Sequence, residues 1–331
     1  MGVRYVLCGS VRKTTDRIRI SAQLVDARSG AQVWAERYDR AVSDLFAIQD
    51  EITLILATEM QVNLTEGEQA RLRYSNTKNV EAWNWWMQGL TRYRHSVTKE
   101  NFSAARSCWE KALALDPASA SLLAMLAFVH CVDARYGWSE DRQTALAKAR
   151  VHVDQALTLD PENADAHVSL GYLSMLTGDY AKAAAHVRQA VQLAPSSADA
   201  AHFSGLVLAF SGYAAEAVVQ VQRAMTLNPN HPPYYFGVLG NACRLAGRID
   251  EAIAAFETFQ ARRPGFALVD LVIAYSQSGQ PERAKKAAAE LLSMRPEFTI
   301  AAWLKTQDCR ADKALLDADV AALRTAGLPM G

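Results

Sequence analysis

The motifs "LALDP", "LTLDP", "VQLAP" and "MTLNP" end at Pro117, Pro161, Pro195 and Pro229, and "ARRP" and "SMRP" follow at Pro264 and Pro296. Successive prolines lie 44, 34, 34, 35 and 32 residues apart. A recurrence of about 34 residues dictates an array of stacked helix pairs, because one such unit is too small to bury its own apolar face. Each proline closes its unit by removing an N–H donor and clashing with the preceding turn.

The internal positions keep the same register. In the unit Ala164 to Ser197, Leu170-Gly171 falls where two helices cross and only a small residue lets the backbones approach. Gly178-Asp179 supplies the inter-helix turn, and Ala183 and Ala190 lie seven apart on one face of the second helix. The next unit repeats this with Gly205, Gly212, Ala217 and Ala224, and the following ones with Gly240, Gly247 and Ala252, then Gly279 and Ala284. This pattern resembles the tetratricopeptide repeat from about Val80 to Pro296, and it implies a mainly α, helical solenoid of about six units. Two earlier units depart from it. The first is Trp-rich ("EAWNWWMQG"), which reads as packing in a terminal repeat. The second is ten residues longer than its neighbours, and the extra residues, around "CVDARYGWSEDRQTALAKAR", are expected between its helices.

The N-terminus obeys another period. Ile18, Ile20, Ala22 and Leu24 alternate with Arg17, Arg19, Ser21 and Gln23, which gives a strand with one buried and one wet face. Arg4–Lys13 and Ala31–Tyr38 read as its neighbours, with "KTTDR" and "ARSG" as turns. Ser43 to about Arg73 reads as two helices, from Leu45, Ile48, Ile52 and Ile55 and the capping-box pair Thr65 and Glu68. The expected organisation is a small α+β segment with about three antiparallel strands over residues 1–42 and connecting helices over 43–79. Repeats over 80–296 and capping helices with a tail over 297–331 complete it. Three strands with one apolar face need a cover. The chain starts at the first of them, so the expectation is a domain cut in its middle, with Ile18, Ile20 and Leu24 left to drive self-association or fraying of the N-terminal strands.

A longer resemblance rests on those residues. "VRYVLCGSVRKTTDRIRISAQLVDARSGAQVWAERYDR" with "DLFAIQDEI" is similar to the second half of the TolB-like domain. In many bacterial signalling proteins that domain lies between a class III adenylate/guanylate cyclase domain and tetratricopeptide repeats. Cys8 departs from the family, which usually has an acidic residue there. "NPNHPPYYFGVLGNACRLAGRIDEAI" and "LLDADVAALRTAGLP" resemble the closing repeats and final helix of the same proteins. The resemblance implies the region downstream of the catalytic domain. The metal-binding aspartates and base-recognising pair of the cyclase lie upstream in the family, so it implies no catalytic residue here. It leaves three readings: a non-catalytic interaction and regulatory module, a chain called a cyclase through its full-length relatives, and the sensor half of a transcription regulator.

Composition narrows the alternatives. Lys+Arg and Asp+Glu both number 35, so there is no basic excess for nucleic acid and no polybasic membrane anchor. Five dispersed cysteines with no CxxC pair read as buried thiols in a reducing compartment, and no start resembles a signal peptide, so the expected location is cytoplasmic. No P-loop, GxGxxG or HExxH occurs. His167 and His202, near the start of successive first helices, read as groove histidines rather than a metal pair. The sequence therefore predicts no catalytic, cofactor or metal site.

What remains is a concave groove for a protein or peptide partner, with a cyclase catalytic domain in cis or in trans as one candidate. The repeat's groove positions map to Tyr172 and Met175, to His202, Leu206 and Phe210, to Tyr234, Asn241 and Arg244, and to Phe266 and Ile273. Such a groove is apolar with a few polar points and suits a helix or an extended apolar segment. The tail "DKALLDADVAALRTAGL" is a candidate filler, although a cap on the last repeat is the simpler role.

Overall fold

The computed structural model describes residues 5–27, 30, 32–45, 47–49, 51–52 and 79–331. The second helix expected before the repeats, which Thr65 and Glu68 would start, lies outside them. The chain divides into two compact units, Met1–Leu90 with Ser107–Ser119, and Thr91–Arg106 with Ala120–Gly331.

In the first unit, β1 (Tyr5–Lys13), β2 (Arg17–Asp26) and β3 (Gln32–Ala41) form an antiparallel sheet in that order. Ile20 faces Tyr38 and Leu24 faces Trp34 across β2 and β3, with a register shift after Leu24. The alternation in β2 survives: Ile18 and Leu24 are 4% and 1% exposed. Helical residues beginning at Leu45 bring Ile48, 1% exposed, onto Ile18 and Tyr38, with Leu45 and Ile52 beside it. The helix read from Ser43 onward thus covers part of the apolar face, and Ile18 and Leu24 are buried rather than left open. The apolar side chains that do face solvent sit on the edge strand β1, at Val6, Leu7 and Val11.

Six helix pairs follow. The first, α1 (Val80–His95) and α2 (Lys99–Leu115), contributes to both units. Trp109 in α2 is fully buried and donates its Nε1–H to the Trp86 carbonyl at 3.2 Å, so this tryptophan-rich repeat is a packed one. The second pair is α3 (Ala120–Tyr136) and α4 (Arg142–Leu159). The third is α5 (Ala164–Leu176) and α6 (Tyr180–Leu193), and the fourth α7 (Ala198–Phe210) and α8 (Ala214–Leu227). The last two are α9 (Tyr234–Leu245) with α10 (Ile249–Arg262), and α11 (Leu268–Gln277) with α12 (Pro281–Met294). Two further helices, α13 (Ile300–Gln307) and α14 (Lys313–Thr325), complete the chain.

The register follows from local chemistry. Asn163 and Ser197 accept the backbone N–H of Ala166 and Ala200 and so start α5 and α7. A Cβ on Gly171 would stand 2.5 Å from Val187 Cγ1 and 3.1 Å from the Ala183 carbonyl oxygen, so the crossing of α5 and α6 requires glycine. Gly178 takes φ +83° in the turn, a conformation that side chains disfavour. Eight of the ten extra residues of the second unit do not form a loop, in contrast to the sequence expectation. They lengthen its helices to 17 and 18 residues, against 13 and 14 in the next pair. An added turn buries more apolar surface than a loop would, and Ala127, Val129, Cys131 and Val132 are all within 4% of full burial. Cys131, Cys243 and Cys309 are buried, but Cys108 is partly exposed and Cys8 lies on the open strand β1, so the expectation of five buried thiols fails at those two.

Candidate functional site

The first helices of the repeats present their inner faces to one another, and the C-terminal segment runs across them. The Arg135 Nε–H on α3 donates to the Thr306 carbonyl of α13 at 3.1 Å. The Ala311 N–H, between α13 and α14, donates to the Phe210 carbonyl at the end of α7 at 2.8 Å. On α14, Asp319 accepts from Arg244 of α9 at 2.8 Å, from Arg310 at 2.6 Å and from Gln277 of α11 at 3.2 Å. Four repeats thus contribute to the seat of the tail, so α14 does more than cap the last repeat. The reason is electrostatic as much as apolar: a carboxylate with no exposed surface needs its cations beside it.

The N-terminal part of the same unit closes on this interior. Arg94 pairs with Asp199 at 2.8 Å, and Arg263 donates to the His95 carbonyl at 2.6 Å. Inside lies a cavity of about 440 Å³. Tyr93, Phe128, Tyr172 and Phe203 form one aromatic cluster on its wall, with ring centroids of Phe128 and Phe203 at 4.8 Å and of Phe128 and Tyr172 at 5.3 Å. Asp270 stands in the same wall, hydrogen-bonded by Asn241; burial raises its carboxyl to about 6 against the pull of Arg244.

Seven of the ten residues assigned to the groove line this cavity: Tyr172, His202, Leu206, Phe210, Tyr234, Asn241 and Phe266. The other three do not. Met175 and Ile273 have no exposed surface, and Arg244 is held under α14 by Asp319. His167 and His202 do not approach one another. His167 Nδ1 lies 3.2 Å from His186 Nδ1 in the same repeat, while the His202 ring stacks on Tyr235 at 3.9 Å. Desolvation lowers the His202 pKa to about 3, so its imidazole stays neutral. Among the described residues there is no group of three His, Cys, Asp or Glu placed to hold a metal ion, and no helix long and apolar enough to cross a membrane. Arg135, Asp270 and the Asp319 seat were not anticipated from sequence. Arg135 belongs to the stretch taken for an inter-helix insertion, and Asp319 looks like any polar position of an amphipathic helix.

Residues 137–198 match the tetratricopeptide repeat family, and that segment spans α4, α5 and α6, where the glycine crossings and proline stops are in register. The fold is a tetratricopeptide-repeat solenoid. A protein of Rhizobium meliloti (strain 1021) named Putative adenylate cyclase 3 is 35% identical over 173 residues, which are 51% of this chain and 29% of that protein. The match therefore spans less than a third of that relative. Among solved structures, YrrB, described as a tetratricopeptide-repeat protein with an unusual peptide-binding site, has TM-score 0.40 at 20% identity, over 60% of this chain and 97% of its own. PilF of Pseudomonas aeruginosa has TM-score 0.45 at 19% identity, over 69% and 96%. The repeat solenoid here differs in sequence enough that these likenesses concern its fold alone.

Proposed function

We propose that this chain is a non-catalytic interaction and regulatory module, the region that follows the catalytic domain of a class III nucleotide cyclase. The observation that carries the reading is the partial match: half of this chain aligns at 35% identity with part of a protein named a putative adenylate cyclase. The repeat solenoid supplies a concave surface built from successive helices, the kind of surface that holds a protein or peptide. The cyclase domain itself is the proposed partner. It meets Phe266, 45% exposed, as the fold stands, and reaches Arg244 only by competing with α14.

Two measurements test this. The purified chain, given ATP or GTP with magnesium or manganese, is expected to form no cyclic nucleotide. A separately purified class III catalytic domain is expected to co-elute with the chain and to change its rate when the chain is added. Turnover by the chain that a mutation within it abolishes would overturn the non-catalytic reading. A catalytic domain that neither co-elutes nor changes rate would overturn the regulatory one.

A further inference from the structure

Arg135 ends α3 inside the repeat unit with 7% of its surface exposed. Its Nε donates to the Thr306 carbonyl at 3.1 Å and its Nη1 to the Tyr172 hydroxyl at 3.2 Å. Its guanidinium lies 4.4 Å from the Phe210 ring centroid and 5.3 Å from that of Tyr136. All of these partners are neutral, and among the described residues Arg135 forms no ion pair. Arg244 and Arg310, just as buried, are by contrast both paired with a carboxylate, Asp319. A guanidinium keeps its charge at every accessible pH, and a buried charge without a counter-ion is costly to the fold.

Arg135 stands in the wall of the 440 Å³ cavity, a size within the range of about 300–1,000 Å³ usual for small-molecule sites. The wall carries three arginines, Arg135, Arg263 and Arg295, against one carboxylate, Asp270. Arg263 and Arg295 are tied to the His95 and Gly265 carbonyls, so they too keep their charge without an acidic partner in contact. The rest of the surface is largely rings, which offer apolar area and stacking to a flat body. We propose that this chamber binds a small organic anion, a carboxylate or phosphate on a planar apolar body, with Arg135 holding its charge. The guanidinium has N–H groups beyond those it gives to Thr306 and Tyr172, in a fork that matches a carboxylate or phosphate. Asp270 and Asn241 accept an N–H or O–H of the same ligand. Thr306 and Gln307 of α13 complete the wall, so an occupied chamber also fixes the C-terminal segment.

The test is thermal unfolding of the full chain with indole-3-acetate and with phenyl phosphate, against neutral indole-3-ethanol and inorganic phosphate. At least one aromatic anion is expected to raise Tm in proportion to the logarithm of its concentration, with no shift from the two controls. The arm that responds tells carboxylate from phosphate. Arg135→Met is expected to abolish the shift and Arg135→Lys to retain part of it. No shift with either anion, an equal shift with indole-3-ethanol, or a shift kept by Arg135→Met would each overturn the proposal. Should Arg135→Met fail to fold, wild-type crystals soaked in 4-bromobenzoate decide: an anomalous bromine peak beside Arg135 supports the proposal, and its absence there overturns it. Failure would leave the reading as a cyclase-associated module untouched, since that rests on the partial sequence match and on a different assay.

Discussion

Asp319 and Arg244 lie 75 residues apart in the chain and meet at 2.8 Å, with side chains 0% and 2% exposed. Arg310 approaches the other oxygen of Asp319, so a single carboxylate serves two buried guanidiniums. Replacing Asp319 with alanine strands both cations, and losing one partner of a buried pair costs about 3–5 kcal/mol. Urea unfolding is expected to show a loss of that order for Asp319→Ala. Limited proteolysis is expected to cut first between Gln307 and Lys313, as the tail leaves its seat. Substituting Arg244→Met, Asp319→Leu and Arg310→Met together is expected to recover most of the stability. A single Asp319→Ala variant as stable as wild type would show that the tail is held by apolar contacts alone.

Two glycines seven residues apart separate two physical effects. At Gly171 the obstacle is space: Val187 Cγ1 would lie 2.5 Å from a new Cβ. At Gly178 there is nothing within 4 Å, and the obstacle is φ +83°. Gly171→Leu is expected to cost about 1–3 kcal/mol or more by overpacking, and Gly178→Ala about 1 kcal/mol by strain. Adding Val187→Ala should recover stability in the Gly171→Ala background, whereas in Gly178→Ala it should only add the cost of truncating a fully buried side chain. Melting curves of the double variants check this.

The repeat register was legible because its signals are local. A proline stop, a turn glycine and a small residue at the crossing recur at one spacing, and each acts within its own helix pair. The same holds for the alternation of Ile18 to Leu24. The route of the tail was not legible. Asp319 finds Arg244 only when the solenoid has curved, and no periodicity links residues 75 apart. Seven of the ten groove positions do share a cavity, yet Arg135 came from outside the repeat consensus, in the lengthened second unit. Position rules carry over where a helix pair keeps the common length; where it grows by a turn, new side chains reach the interior.

Acid should weaken the repeat unit. Desolvation lowers the pKa of His202 to about 3 and of His130 to about 4, and also lowers His152, His167 and His186. A lowered histidine pKa means that the unfolded chain takes up protons near pH 6.5 that the folded chain refuses. Stability is therefore full above pH 6.5 and falls as pH drops towards the folded values, by about 1.4 kcal/mol per pH unit for a fully buried ring such as His202. Asp270 acts in the opposite sense: raised to about 6, it contributes stability below pH 3.8 that is lost as pH rises through 6. Burial raises the Asp133 carboxyl as well, and two carboxyls do not offset five imidazoles. Between pH 6.5 and 4.5 Tm is expected to fall, and His202→Phe should flatten the slope. A Tm that rises over that interval would contradict the burial of these rings.

The N-terminal sheet offers a comparison between its covered and open sides. Ile48, 1% exposed, packs on Ile18 and Tyr38, whereas Val11 on β1 is 64% exposed. Three strands alone lack the apolar burial needed to stand in water, so the helical residues from Leu45 onward are what makes this sheet stable. Ile48→Asp places a carboxylate between Ile18 and Tyr38 without a hydrogen-bond partner, and burying such a group costs more than a small sheet can spare. Amide exchange across Arg17–Asp26 is expected to lose its protection in Ile48→Asp while α5 to α12 keep theirs. Val11→Lys, on the open edge, is expected to leave the protection of both unchanged, because its side chain touches water in the folded and unfolded states alike. Loss of strand protection in Val11→Lys, or its persistence in Ile48→Asp, would place the stabilising cover of the sheet on β1 rather than on the helix after β3.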